Sequence, residues 1–179
     1  MNSDNKLMDM LTGYAAAHQH PFNILVHLIG IPTIMLGVLI PLTWVSVGAA
    51  PWVLNFAHIL IFAFFIFYLT LDRIFAVVFL VVALGLSILA AKLGALPVAQ
   101  SATIAAVAFF GGYALQFIGH AVEKSMPVLV KHPIQANLAA PFFTIVEVFK
   151  LLGLRRSLFD AVQAEISARR RATTAGAAK

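Results

Sequence analysis

No cysteine occurs in the chain, which rules out disulfides, thiolate zinc sites and iron–sulfur clusters. Any metal must then be held by imidazole, carboxylate, amide or backbone oxygen. Charge is scarce too: 11% of the 179 residues are charged, against about 25% in an average soluble protein. Hydrophobic residues make up 61%, above the usual range of about 45–50%, so a water-soluble core is excluded and an integral membrane protein is expected. The first twenty residues hold Asp4, Lys6 and Asp9 and no short apolar stretch, so a cleaved signal peptide is not expected.

Acidic residues are the scarcer sign, and the net charge of +5 comes largely from Arg155, Arg156, Arg169, Arg170, Arg171 and Lys179. No aromatic residue alternates with these arginines to offer a stacking surface, so anionic lipid, not nucleic acid, is the expected partner of this basic tail.

What is present is a series of long apolar runs. Pro21 is expected to end a short N-terminal helix around Leu7 to Gln19. Asn23 is then the expected N-cap of a first span, Ile24 to about Trp44, with Pro32 and Pro41 as kinks. Further spans are expected over about 52–71, 74–91 and 96–118. Asp72-Arg73 forms the turn between the second and third, and Gly111-Gly112 in the fourth offers small residues for close helix approach. Residues 134–153 are interrupted by Gln135, Asn137, Pro141, Glu147 and Lys150, and read as an amphipathic or half-buried helix pair, with a fifth span as the alternative.

The fold class is therefore an all-α integral membrane protein of about four transmembrane helices, a short N-terminal helix and a C-terminal helix pair. One domain covers residues 1–157, and 158–179 is a basic tail expected to lose order toward its end. Four spans put both termini on one side, and the positive tail puts that side in the cytoplasm.

The same topology gathers the polar residues. His18 and His27 at the start of the first span, Asp72 at the end of the second, and His120 with Glu123 at the end of the fourth all reach one edge. Ionisable groups at the edge of hydrocarbon are costly to keep, so they are functional candidates by default. Three imidazoles with carboxylates nearby, and no thiolate, suit a zinc, iron or copper site, with Asn23, Gln116 and Glu123 as candidate acceptors behind the ring nitrogens. Histidines that merely hydrogen-bond between helices of a lipid-binding or scaffold protein, or that grip a haem, are the competing readings. His20, His58 and His132 read as structural or solvent-facing, and Phe62, Phe64, Phe65 and Phe67 as packing residues.

Three blocks carry a resemblance. They are Tyr14…His18-x-x-Pro21-x-Asn23-x-x-x-His27-x-x-Gly30-Ile31-Pro32, Gln116-x-x-Gly119-His120-x-x-Glu123-x-x-x-Pro127, and Ala140-Pro141-Phe142-Phe143-x-x-x-Glu147. Together they resemble the Mpo1-like family over about residues 11–153, with Val128 in place of the usual alanine after Pro127. The resemblance implies a membrane dioxygenase that uses Fe2+ and dioxygen to shorten 2-hydroxy fatty acids by one carbon. It puts His18, His27 and His120 on the family's histidine positions. Beside these ligands, Glu123 is expected to orient His120, with Asp72 at the same edge and Arg73 or Lys124 holding the substrate carboxylate.

Overall fold

The computed structural model describes residues 3–49 and 52–177; Lys179 of the basic tail lies outside them. Helix α1 (Ser3–Ala17) leads to α2 (Pro21–Thr43), and a two-stranded antiparallel hairpin follows, β1 (Ser46–Ala49) and β2 (Trp52–Asn55). The remaining helices are α3 (Phe56–Leu69), α4 (Arg73–Gly94), α5 (Val98–Glu123), the single turn α6 (Val128–Lys131), α7 (Pro133–Leu151) and α8 (Arg156–Ala177).

Four helices, α2, α4, α5 and α7, are long and apolar enough to cross a membrane. Their outward faces support that reading: Leu25, Ile29, Ile74, Val81, Val107 and Phe110 are all exposed, which lipid accommodates and water does not. The protein is an all-α membrane protein, as its composition implies.

Several boundaries differ from the sequence reading for local reasons. Helix α2 begins at Pro21, because His20 is the N-cap: its imidazole accepts from the Phe22 N–H, and proline tolerates the first helical position. Asn23 is thus inside the helix and buried. The expected second span, 52–71, divides into strand β2 and the 14-residue α3. At 1.5 Å per residue α3 is about 21 Å long, short of a hydrocarbon core of about 30 Å. Its start is fixed by a capping box in which Asn55 accepts from the His58 N–H and His58 accepts from the Asn55 N–H, which gives His58 a structural role. Residues 133–151 form one continuous helix, not a helix pair, and Pro141 lies within it. Most of residues 158–179, expected as a tail, belongs to α8 (Arg156–Ala177), which joins α1 through Arg169 to Asp9 at 2.6 Å.

The core of the bundle is the α2–α5 pair, which packs more extensively than any other. Small residues permit this. A Cβ on Gly37 would meet the Phe109 backbone nitrogen at 2.6 Å, and one on Gly112 would meet the Gly30 carbonyl at 2.8 Å. Gly111, the other half of the glycine pair, has nothing within 4 Å. The contact runs on to Gly119 beside Asn23, so it carries the start of α2 against the end of α5.

Candidate metal centre

His18 sits in the break between α1 and α2, His27 two turns into α2, and His120 in the last turn of α5. All three are buried. Each offers a ring nitrogen, and the three nitrogens lie within 4.8 Å of one another. The ring centroids are 4.4 Å apart for His18 and His27, 4.9 Å for His18 and His120, and 5.0 Å for His27 and His120. Three side chains spread over more than a hundred residues of sequence therefore meet at one point.

The other face of each ring is held. His18 Nδ1 donates to the Tyr14 carbonyl at 2.8 Å, and His27 Nδ1 donates to the Asn23 carbonyl at 2.9 Å. A carbonyl only accepts, so these Nδ1 atoms carry the protons and the neutral rings present bare Nε2 lone pairs. Those two Nε2 atoms face each other at 3.2 Å. Burial pushes the His18 imidazole from its ordinary 6.5 down to about 3, His27 alongside lowers it further, and the bond to Tyr14 opposes the fall. His18 is accordingly neutral, and two lone pairs at this separation repel unless a cation lies among them. The donor set fits a borderline divalent ion such as iron or zinc.

His120 Nδ1 lies 2.8 Å from the Ser125 hydroxyl. Lys124 makes this possible by adopting a left-handed conformation (φ 56°), which turns the chain so that Ser125 N–H also donates to the His120 carbonyl at 3.0 Å. Tyr14 stacks on His18 with centroids 3.9 Å apart, and Phe143 of α7 covers Tyr14 at 3.6 Å. Burial, then the Glu147 charge, raises the Tyr14 phenol, so it stays neutral. Rings this crowded leave no gap for a porphyrin between His27 and His120, and the haem reading is set aside.

The remaining expected site residues divide. Asn23 belongs to the cluster through its backbone carbonyl, while its side chain donates to Glu123. Glu123 makes no hydrogen bond to His120; it accepts from the Gln19 N–H at 2.7 Å, the His20 N–H at 3.3 Å and Asn23, so it fastens the start of α2 to the end of α5. Gln116 lines the cavity described below, about one turn from His120. Asp72 is not brought to the cluster. Its carboxylate caps α4 through Ile74 and Phe75 N–H groups and pairs with Arg155 at 2.6 Å. Arg73 and Lys124 are exposed and do not line the cavity. Ser125 and Arg155 were not anticipated: a serine five residues after a histidine carries no signal unless the helix is known to end between them.

Beneath the histidines lies a cavity of about 370 Å³, within the range of small-molecule sites. Its walls are apolar, with Ile31, Met35, Leu60, Phe64, Phe79 and Phe109 among them. The polar groups are the three histidines, Tyr14, Gln116, and the Tyr113–Asn137 pair, in which the Tyr113 hydroxyl donates to Asn137 at 2.6 Å. No Lys, Arg, Asp or Glu is among the residues lining it.

One protein-family model, described as 2-hydroxy-palmitic acid dioxygenase Mpo1-like, matches residues 5–152. No curated protein and no solved structure matches the chain.

Proposed function

We propose that this chain, which belongs to the Mpo1-like family, is an Fe2+-dependent dioxygenase that converts 2-hydroxy fatty acids to acids one carbon shorter. The observation that carries the proposal is the convergence of three imidazoles, their outer nitrogens already engaged, at an apolar cavity. Iron(II), when bound, supplies the one-electron chemistry by which dioxygen reacts with a closed-shell organic acid. The chain supplies the rest.

His18, His27 and His120 would hold the ion, with Tyr14, Asn23 and Ser125 fixing the ring orientations from behind. Three neutral ligands leave the ion's charge uncancelled, which suits an anionic head group in a cavity whose lining has no basic side chain. The Gln116 amide, which lines the cavity, would hydrogen-bond that carboxylate or the 2-hydroxyl. The acyl chain enters the apolar part and excludes water from the reacting carbons. A 2-hydroxy acid and one dioxygen balance to the shortened acid, carbon dioxide and water, so no further reductant or co-substrate is needed.

The basic residues Arg155, Arg156, Arg169 and Arg171 support a cytoplasmic position for the histidine edge and both termini. The test is direct: purified protein loaded with ferrous iron is given a 2-hydroxy fatty acid under oxygen. A fatty acid one carbon shorter, lost with chelator, is the expected product. Unchanged substrate with stoichiometric iron bound would refute the activity and favour a lipid-binding protein.

A further inference from the structure

The cavity has a mouth, and burial shows where it lies. His18, His27 and His120 are buried, so the opening is not over the rings. Among the described residues that line the cavity, two are exposed: Phe117 of α5, at 47%, and Asn137 of α7. The opening is therefore the gap between α5 and α7. Both helices pack against α2, and they pack little against each other.

One polar contact crosses that gap. The Tyr113 hydroxyl of α5 donates to the Asn137 side-chain oxygen of α7 at 2.6 Å, and the Asn137 amide is held in turn by the Pro133 carbonyl at 2.9 Å. Tyr113 is seven residues from His120, about 10.5 Å of helix, so it stands two turns along α5 from the rings. The surface around the contact is apolar. Phe110, at 69% exposure, and Phe117 flank Tyr113, and Ile134, at 77%, lies three residues before Asn137. Both helices are long and apolar enough to cross a membrane, so these side chains face acyl tails and not water. A polar pair set there has no water to turn to, which is why each group takes the other as its partner.

We infer that the gap between α5 and α7 is a lateral doorway through which an acyl chain passes between the bilayer and the cavity, and that the Tyr113–Asn137 hydrogen bond is the bar across it. The inference rests on the proposed reading of the cavity as a site for 2-hydroxy fatty acids, amphiphiles that dissolve in a bilayer with their tails among the lipid tails. A chain that enters sideways never carries its tail through water.

The chain has no cysteine, so a pair introduced by Tyr113→Cys and Asn137→Cys can be labelled without side reactions. The full-length double variant in lipid nanodiscs is loaded with a fluorescent fatty acid, bridged by a short bis-thiosulfonate linker and given excess unlabelled fatty acid. The bridged protein should hold its probe until a reductant cuts the linker, whereas the same variant capped with a monofunctional thiosulfonate should release it freely. A second variant leaves the packing almost untouched. Tyr113→Phe should raise the uptake and release rates together by about fivefold, roughly what one lost hydrogen bond is worth in a barrier, and leave the affinity as it was. A residue that merely bound the ligand would change affinity instead.

Release from the bridged protein at the capped rate would overturn the doorway, and unchanged exchange rates in Tyr113→Phe would overturn the bar. Neither measurement needs turnover. A probe held by the bridge and freed by reductant, in a protein that turns over no 2-hydroxy acid, would leave the doorway standing and refute the dioxygenase reading. Turnover of a 2-hydroxy acid together with free release from the bridged protein would do the reverse.

Discussion

Ser125 acts on the site through a single contact, its hydroxyl 2.8 Å from His120 Nδ1. Partners behind a metal-binding imidazole are worth about 10–100-fold in metal affinity. Ser125→Ala is therefore expected to weaken iron binding by about that factor while secondary structure and thermal unfolding of the metal-free protein stay close to the parent; competition against a calibrated chelator measures it. His18 gives a second expectation, in pH. Its folded value, about 3, lies below the ordinary 6.5, so the group stabilises the fold fully above 6.5, and that contribution is lost as pH falls toward 3. From pH 7.5 to 5 the metal-free protein should lose about 2 kcal/mol. His18→Gln should flatten that part of the curve, read by thermal unfolding at each pH. All three histidines were legible in the sequence, because an imidazole at the edge of an apolar run is conspicuous. The hydrogen bonds behind them were not, since two are made to backbone carbonyls, which any residue carries.

At the scale of elements, the α2–α5 contact decides whether His27 and His120 meet. Gly37→Ala pushes a methyl into the Phe109 and Ala105 backbone, which cannot yield as a side chain does, and should cost about 1–3 kcal/mol with weaker metal binding. Gly111→Ala, at a position that faces open space, should cost nothing and gain up to about 1 kcal/mol from helix propensity. The comparison is read by thermal unfolding. Asp72 belongs to this scale as well. It caps α4 and ties the α3–α4 turn to Arg155 ahead of α8, so Asp72→Ala should lower stability by about 1–2 kcal/mol and leave metal content unchanged. The sequence reading put Asp72 at the same edge as the histidines, but apolarity alone does not tell which polar residues on an edge touch, and Asp72 meets Arg155 instead. The same limit explains α3: the largely apolar stretch from 52 to 71 hides strand β2, and its sign in the sequence is Asn55, the cap that separates strand from helix.

For the whole molecule, four apolar helices, an apolar exterior and a cavity lined by buried histidines make one arrangement suited to an amphiphile whose head is handled at the histidines and whose tail lies within the bundle. The number of spanning helices follows from hydrophobic length, and it emerged as expected. By length and composition α7 joins that number in place of α3, although its sequence carries Asn137, Pro141 and Glu147: Asn137 is exposed and bonds Tyr113, Pro141 lines the cavity, and Glu147 is 4% exposed and paired with Lys150 at 3.3 Å. Polar residues that line an interior look, in one dimension, like a broken span. In the proposed site the three imidazoles share one ion, and elemental analysis of protein purified anaerobically and loaded with ferrous iron tests that most directly. One iron per chain, lost on replacing His18, His27 or His120 by alanine in variants that keep their helical content, is the expected result; no bound iron in the parent protein, or full retention in the three variants, would contradict it.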